Sequence, residues 1–193
     1  MKRVCVFAGS NVGACPQYWR MAEELGRALT VRGLGLVFGG ARVGLMGGLA
    51  DTVLDSGGQV IGVIPAPLLA RGIAHEGLTE LRVVESMHER KAVMASLADA
   101  FVALPGGWGT LEELAEALTC GQLGFHLKPC GVLNVEGYFD SLLSFFRRSV
   151  AMGFVRPEHS SMVLVADSPD ALLDALAAYR PSVVQKWITG GGI

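Results

Sequence analysis

The stretch Ala100-Phe101-Val102-Ala103-Leu104-Pro105-Gly106-Gly107-Trp108-Gly109-Thr110-Leu111-Glu112-Glu113 passes from an unbroken apolar run, through a turn of proline and glycine, into a segment with helical spacing that reaches Leu123. A short, uniformly apolar run bounded by turn residues reads as a strand buried on both faces of a parallel sheet. The same three-part order stands at the amino terminus, where Val4 to Ala8 leads through Gly9-Ser10-Asn11 to a helical stripe over Tyr18 to Arg32. It returns where Leu34 to Phe38 leads through Gly39-Gly40-Ala41-Arg42-Val43-Gly44-Leu45-Met46-Gly47-Gly48 into a helix over Leu45 to Asp55. Further strand-like runs are Gln59 to Ile64, Leu81 to Val84, Cys130 to Asn134 and Ser161 to Val165, and further helical segments are His88 to Leu97, Tyr138 to Met152 and Pro169 to Ala178. Strand and helix alternate along the chain, which predicts βαβ crossovers and an α/β fold: a doubly wound parallel sheet with helices on both faces.

At 193 residues the chain fits one large domain, expected over residues 1–178, with 179–193 as a tail. Sixteen basic against eighteen acidic side chains leave a net charge of −2, without the basic footprint of a nucleic-acid binder. A hydrophobic content of 51% with 18% charged residues excludes intrinsic disorder. Met1-Lys2-Arg3 runs into five apolar residues, too few for a signal-peptide core, and no apolar stretch reaches membrane-spanning length. A cytoplasmic protein with no membrane partner is expected. Cys5, Cys15, Cys120 and Cys130 form no CxxC pair, and His75, His88, His126 and His159 add no zinc-ligand spacing, so reduced thiols and no metal site are expected.

Glycine is about twice as frequent as usual, at 26 residues, and much of it lies in the loops that follow strands. Backbone N–H groups at a helix amino terminus are unsatisfied and carry partial positive charge, so a glycine-rich strand-to-helix turn suits a phosphate. One such loop is better explained by turn geometry alone. Three at the carboxyl ends of strands in one parallel sheet, where ligands bind, point to a phosphorylated ligand, with Gly39 and Gly40 in one loop and Gly106, Gly107, Trp108, Gly109 and Thr110 in another as candidate contacts. Neither loop matches a P-loop or a dinucleotide fingerprint. Glu113, three residues after Thr110, falls on the loop's side of its helix, where a carboxylate fits a part of the ligand that develops positive charge better than the phosphate itself. Upstream, Met87-His88-Glu89-Arg90-Lys91 opens another helix with two cations, against the helix dipole, and such local conflicts gather at functional sites. His88 is a less supported general base.

Together, Pro105-Gly106-Gly107-Trp108-Gly109-Thr110-Leu111-Glu112-Glu113 and Met87-His88-Glu89-Arg90-Lys91 closely resemble the LONELY GUY family, cytokinin riboside 5′-monophosphate phosphoribohydrolases, many of which were once labelled lysine decarboxylases. The resemblance covers about residues 3 to 178 and takes in Gly39-Gly40, Val43-Gly44-Leu45-Met46-Gly47 and Gly131-Val132-Leu133-Asn134-Val135-Glu136-Gly137-Tyr138. It implies a Rossmann-like fold, a homodimer, and Arg90 and Glu113 at the family's catalytic positions. It places Lys91, the loop from Gly106 through Leu111 to Glu112, and Thr119 at substrate-binding positions, and Met87 opens the same motif. The chain departs from the pattern at Trp108, where Tyr or Phe is common, at Arg42, where a small polar residue is common, and at Ala66, where relatives often carry Glu.

The activity so implied is hydrolysis of the N-glycosidic bond of an AMP-type nucleotide to free base and ribose 5-phosphate, with a small-molecule substrate and no cofactor. The loop would hold the 5′-phosphate, Glu113 would stabilise an oxocarbenium-like sugar and orient or deprotonate water, and Arg90 would position Glu113 or stabilise the departing base. The alternative is a non-catalytic nucleotide carrier or sensor of similar fold, against which the pairing of Arg90 with Glu113 speaks. A lysine decarboxylase needs a Schiff-base lysine, and nothing marks Lys2, Lys91, Lys128 or Lys186 as one.

Overall fold

The structure, a computed structural model, describes residues 1–181, so residues 182–193 of the expected tail lie outside the described residues. Among the described residues seven strands form one parallel sheet: β1 (Arg3–Phe7), β2 (Gly35–Phe38), β3 (Val60–Pro65), β4 (Glu80–Val84), β5 (Ala100–Ala103), β6 (Cys130–Leu133) and β7 (Val163–Ala166). Their spatial order is β4-β3-β2-β1-β5-β6-β7. The chain therefore winds outward from β1 in one direction, returns, and winds outward in the other, which is the doubly wound topology. Its switch point lies between β1 and β5, paired from Val4 with Ala100 to Phe7 with Ala103.

Among the described residues seven helices accompany the sheet: α1 (Pro16–Val31), α2 (Gly44–Asp55), the single-turn α3 (Ala66–Leu69), α4 (Met87–Leu97), α5 (Trp108–Gln122), α6 (Asp140–Ala151) and α7 (Pro169–Ala178). Which helix covers which face follows from the two-residue period of the strands. Val4, Val6, Leu36, Phe38, Ala100 and Val102 point one way and pack with Leu25 and Leu29 of α1, Leu49 and Val53 of α2, and Leu172 and Leu176 of α7. Cys5, Phe7, Val37, Phe101 and Ala103 point the other way and pack with Met94 of α4, and Leu114 and Ala117 of α5. Both layers are apolar, and this is why the inner strands carry no polar alternation.

Most element boundaries differ from the periodicity by one or two residues, as where α1 begins at Pro16 rather than Tyr18, and two of the shifts have a visible local cause. The last strand begins at Val163 rather than Ser161, because Pro157–Met162 form a 3-10 turn. The helix expected from Tyr138 begins at Asp140, after a 3-10 turn at Val135–Gly137 in which Glu136 and Gly137 have φ of 51° and 68°. Among the described residues no helix is long and apolar enough to cross a membrane. Cys5, Cys15, Cys120 and Cys130 are all free thiols.

Candidate active site

The carboxyl ends of β1, β2, β4 and β5 bring four segments together. At the switch point the Gly9 N–H donates to the Pro105 carbonyl at 3.0 Å and the Leu104 N–H to the Phe7 carbonyl at 2.9 Å, so the loops after β1 and β5 are stitched to each other. α5 then starts at Trp108 with Gly107 as its N-cap and no side-chain cap, which leaves the first N–H groups of the helix to a ligand or water. Gly106 has no room for a side chain: a Cβ there would come within 2.1 Å of the Thr110 hydroxyl and 2.9 Å of the Gly9 nitrogen. Thr110 is buried and braces the turn from inside. The Tyr138 hydroxyl donates to the Gly106 carbonyl and braces it from outside. Trp108 projects into solvent at 88% exposure.

α4 begins with a capping arrangement. Ser86 accepts the Glu89 N–H at 3.1 Å and the Glu89 carboxylate accepts the Glu85 N–H at 2.8 Å, so the helix start is satisfied locally. That leaves Arg90, one turn in, to point back over the sheet edge. Its guanidinium lies on the backbone of Gly39, where a Cβ would stand 1.8 Å from one terminal nitrogen. The same guanidinium approaches the Glu113 carboxylate at 3.7 Å, with both side chains only 10% exposed, and the Met87 sulfur at 3.7 Å. Arg90 Nε is buried without a hydrogen-bond partner. A buried guanidinium with an unused donor, beside an uncapped helix start, is built to meet something.

Burial pushes the Glu113 carboxyl up to about 7, against the opposing pull of Arg90, with Glu112 adding to the rise and Lys91 reducing it. A carboxyl poised near neutrality in a partly closed site suits acid–base work. Glu113 also heads a cleft of about 380 Å³ between α4 and α5, lined by His88, Lys91, Ala92, Ala117, Cys120 and Phe125 among others. Lys91 hydrogen-bonds to Glu112 and, at 2.9 Å, pairs with Glu116. These contacts raise its pKa above the ordinary lysine value, the hydrogen bond to Glu112 contributing most.

The structure thus gathers Gly39, Met87, Arg90, Lys91, Gly106, Gly107, Thr110, Glu112 and Glu113 around one site. Gly40 sits behind it with φ of 74°, its carbonyl accepting the His75 N–H at 2.9 Å. Gly109 and the half-exposed Leu111 lie on the first turn of α5. Thr119 is not in this cluster. It is exposed and lines a separate groove with Leu143, Phe146 and His159. Tyr138 was singled out by no local rule, because its contact with Gly106 spans 32 residues. The one pointer to it was its place in the family-like stretch after β6.

The family model described as possible lysine decarboxylase matches residues 46–176. A probable cytokinin riboside 5′-monophosphate phosphoribohydrolase of Oryza sativa subsp. japonica is 49% identical over 180 residues, 93% of this chain and 79% of that relative. A cytokinin riboside 5′-monophosphate phosphoribohydrolase of Arabidopsis thaliana is also 49% identical over 180 residues, 93% of this chain and 84% of its own length. The chain belongs to the LONELY GUY family. Its fold is shared more widely: the molybdenum cofactor carrier protein of Chlamydomonas reinhardtii superposes with a TM-score of 0.69 at 23% identity, over 92% of this chain and 99% of that one. A molybdenum cofactor binding protein of Rippkaea orientalis gives 0.70 at 23% identity, over 92% and 97%. Fold alone therefore does not choose between LONELY GUY enzymes and carriers, and the choice rests on side chains.

The decarboxylase label of the family model finds no support among the described lysines. A Schiff-base lysine must present a neutral amine, whereas Lys91 is held as an ammonium by two carboxylates, Lys128 donates to the Ala95 carbonyl at 2.7 Å, and Lys2 is exposed away from the site.

Proposed function

We propose that this LONELY GUY protein hydrolyses the N-glycosidic bond of AMP-type nucleoside 5′-monophosphates, AMP itself or an N6-substituted form, releasing the base and ribose 5-phosphate. The observation that carries the reading is the juxtaposition of a buried Glu113, poised near neutrality and paired with Arg90, with the uncapped amino terminus of α5. The N–H groups of the Gly107–Thr110 turn hold the 5′-phosphate. This fixes the sugar so that C1′ faces the Glu113 carboxylate. As the bond from C1′ to the base nitrogen breaks, positive charge spreads over the ring oxygen and C1′, and the carboxylate stabilises it. Water held by Glu113 then bonds to C1′ and gives a proton to the carboxylate, the base leaves with the bonding pair and takes up a proton from solvent, and Glu113 returns its own proton to solvent, so that water is added across the bond. Arg90, whose terminal nitrogen stands 3.7 Å from the Glu113 carboxylate, either orients Glu113 or meets the departing base. Names of relatives at 47–49% identity support the same chemistry. No step calls for a cofactor.

Residues 1–178 act in this reading as one domain, and the protein works as a cytoplasmic homodimer. The family relationship supports the dimer, and so do the exposed Phe125, Phe145 and Phe154.

The test is a panel of nucleotides and nucleosides incubated with purified protein, with ribose 5-phosphate and free base quantified. AMP or an N6-substituted AMP is hydrolysed, and Glu113→Gln lowers turnover by about 10² or more. Turnover by Glu113→Gln at the wild-type rate removes that residue from the mechanism.

A further inference from the structure

Gly39 and Gly40 follow β2 without side chains, so the loop they open has nothing of its own to bury. Gly40, with φ of 74°, lies against β3: a Cβ on Gly62 would come within 2.8 Å of the Gly40 Cα, and a Cβ on Gly40 within 3.3 Å of the Val63 nitrogen. Besides β3, the loop is held by the connection 70–79 between α3 and β4. The Arg42 N–H donates to the Ile73 carbonyl and the His75 N–H to the Gly40 carbonyl, both at 2.9 Å, and Ala41 pairs with Ala74 in an antiparallel bridge. Close packing does not fix this connection. A hollow of about 310 Å³ borders it, lined by Leu69, Gly72, Ala74, His75, Leu78 and Leu81 among others, and atoms that face a void lack dispersion partners on that side.

Among the described residues two side chains of the connection hydrogen-bond to other elements. Thr79, at its end, accepts the Val60 N–H of β3 at 3.0 Å. His75 anchors its middle. The imidazole Nε2 stands 2.8 Å from Asp51 Oδ1 of α2, and Nδ1 accepts the Gly77 N–H at 3.1 Å. With Nδ1 engaged as an acceptor, Nε2 carries the ring proton and donates it to Asp51. The His75 side chain is 10% exposed and Asp51 63%, so the ring lies inside and the carboxylate at the surface. Glu76 meets Arg42 at 3.8 Å with both side chains exposed, a contact too solvated to hold the turn.

We propose that His75 is a positioning residue: bound to Asp51, it clamps the turn 73–77 to α2 and thereby keeps Gly39 in place as the seat of Arg90 beside Glu113. This inference rests on the hydrolase reading and adds to it a residue that acts through Arg90. Each link is a contact within the fold. Asp51 holds the His75 ring, and the His75 N–H holds the Gly40 carbonyl. Gly39, next in the chain, carries the Arg90 guanidinium directly on its backbone, and that guanidinium reaches Glu113 at 3.7 Å. A group seated on bare backbone follows that backbone, because no side chain lies between them to adjust. The Met87 sulfur, 3.7 Å from Arg90, is a weak acceptor and does not replace the seat.

The experiment reads Arg90 and turnover together. In arginine-labelled protein the Arg90 Nε–H, buried without a partner, gives a nitrogen-15 NMR signal assigned by its loss in Arg90→Lys. His75→Ala and Asp51→Ala each move that signal and lower kcat on AMP or an N6-substituted AMP by about tenfold, the scale of a small misplacement near the chemistry, while KM changes less than threefold. The double variant is no worse than either single one, since both remove the same bond. Asp51→Asn, which keeps an acceptor oxygen for Nε2–H, retains the wild-type signal and kcat. Asp51→Ala tests the clamp even if His75→Ala does not fold. A lower melting temperature in His75→Ala and Asp51→Ala with kcat and the Arg90 signal unmoved makes the pair a structural pin and overturns the proposal. So does a tenfold rise in KM at wild-type kcat, which puts the turn on the nucleotide itself, or a loss in Asp51→Asn equal to that in Asp51→Ala. If the wild-type protein hydrolyses no nucleotide, the hydrolase reading fails, and the Arg90 signal alone decides whether the clamp holds the seat.

Discussion

Glu113 is costly to the folded state and useful for that reason. A carboxyl held at about 7 binds its proton more tightly folded than unfolded, so below its ordinary value both states are protonated and it imposes no penalty. As pH rises from about 4.5 to about 7 the unfolded chain ionises first, and stability falls by up to about 3 kcal/mol, the free energy equivalent of that displacement. Glu113→Gln removes the titration, so its melting temperature relative to wild type should be higher at pH 8 than at pH 5. A gap independent of pH contradicts the burial argument. Gly39 is the complementary case, since what matters is the missing atom. Gly39→Ala places a methyl where the Arg90 guanidinium rests, and overpacking of this kind costs about 1–3 kcal/mol. The larger consequence is displacement of Arg90 from Glu113, for which we expect kcat to fall about 10²-fold with circular dichroism unchanged. Wild-type kcat in Gly39→Ala would show that Arg90 does not need this seat. Sequence pointed to Arg90 and Glu113 because both conflict with simple expectations, cations at a helix start and a carboxylate beside a phosphate loop. It could not show that Arg90 lies on Gly39, because 51 positions separate them and only the sheet order brings them together.

At the level of elements, α4 and α5 divide the work by how they begin. α4 is closed by Ser86 and Glu89, whereas α5 is left open behind a turn braced by Thr110 and Tyr138. The S-x-x-E spacing of the α4 cap stands in the sequence, and it accounts for how Arg90 and Lys91 are tolerated so near the helix start. The Tyr138 brace was not legible, since the kinked turn at Glu136 and Gly137 that aims it is a tertiary outcome. An open helix start predicts that nucleosides are far poorer substrates than their 5′-monophosphates. Tyr138→Phe loosens the loop by one hydrogen bond, about 1 kcal/mol. That corresponds to a rise of about fivefold in KM for the nucleotide, with the rate on the nucleoside unaffected. Equal kinetics of Tyr138→Phe and wild type on AMP-type substrates would mean that the loop holds its shape without the phenol.

For the whole molecule, the alternation of apolar runs and helical stripes was enough to anticipate a doubly wound sheet, because the inner strands are buried on both faces and carry no competing pattern, while the edge strands β4 and β7 are partly exposed. The strand order was not in any one segment, and it is the order that puts β1 beside β5 and makes the site. Nor could periodicity say what the outside of the sandwich meets. Phe125, Phe145 and Phe154 are 77%, 62% and 86% exposed, and Trp108 is 88% exposed, although a chain of 193 residues has ample core to bury such rings. Single exposed apolar residues are ordinary, but several large aromatics left outside a well-filled core suit a surface that another protein covers. Thr119, exposed on α5 and apart from Glu113 in its own chain, lines a groove with Leu143 and Phe146 of α6. A homodimer is therefore expected in solution, with a mass by multi-angle light scattering of twice the 20.3 kDa chain that persists on dilution to low micromolar concentration. A particle of 20.3 kDa at all concentrations would leave these aromatics to another partner, and would also require every group that acts on the nucleotide to come from a single chain.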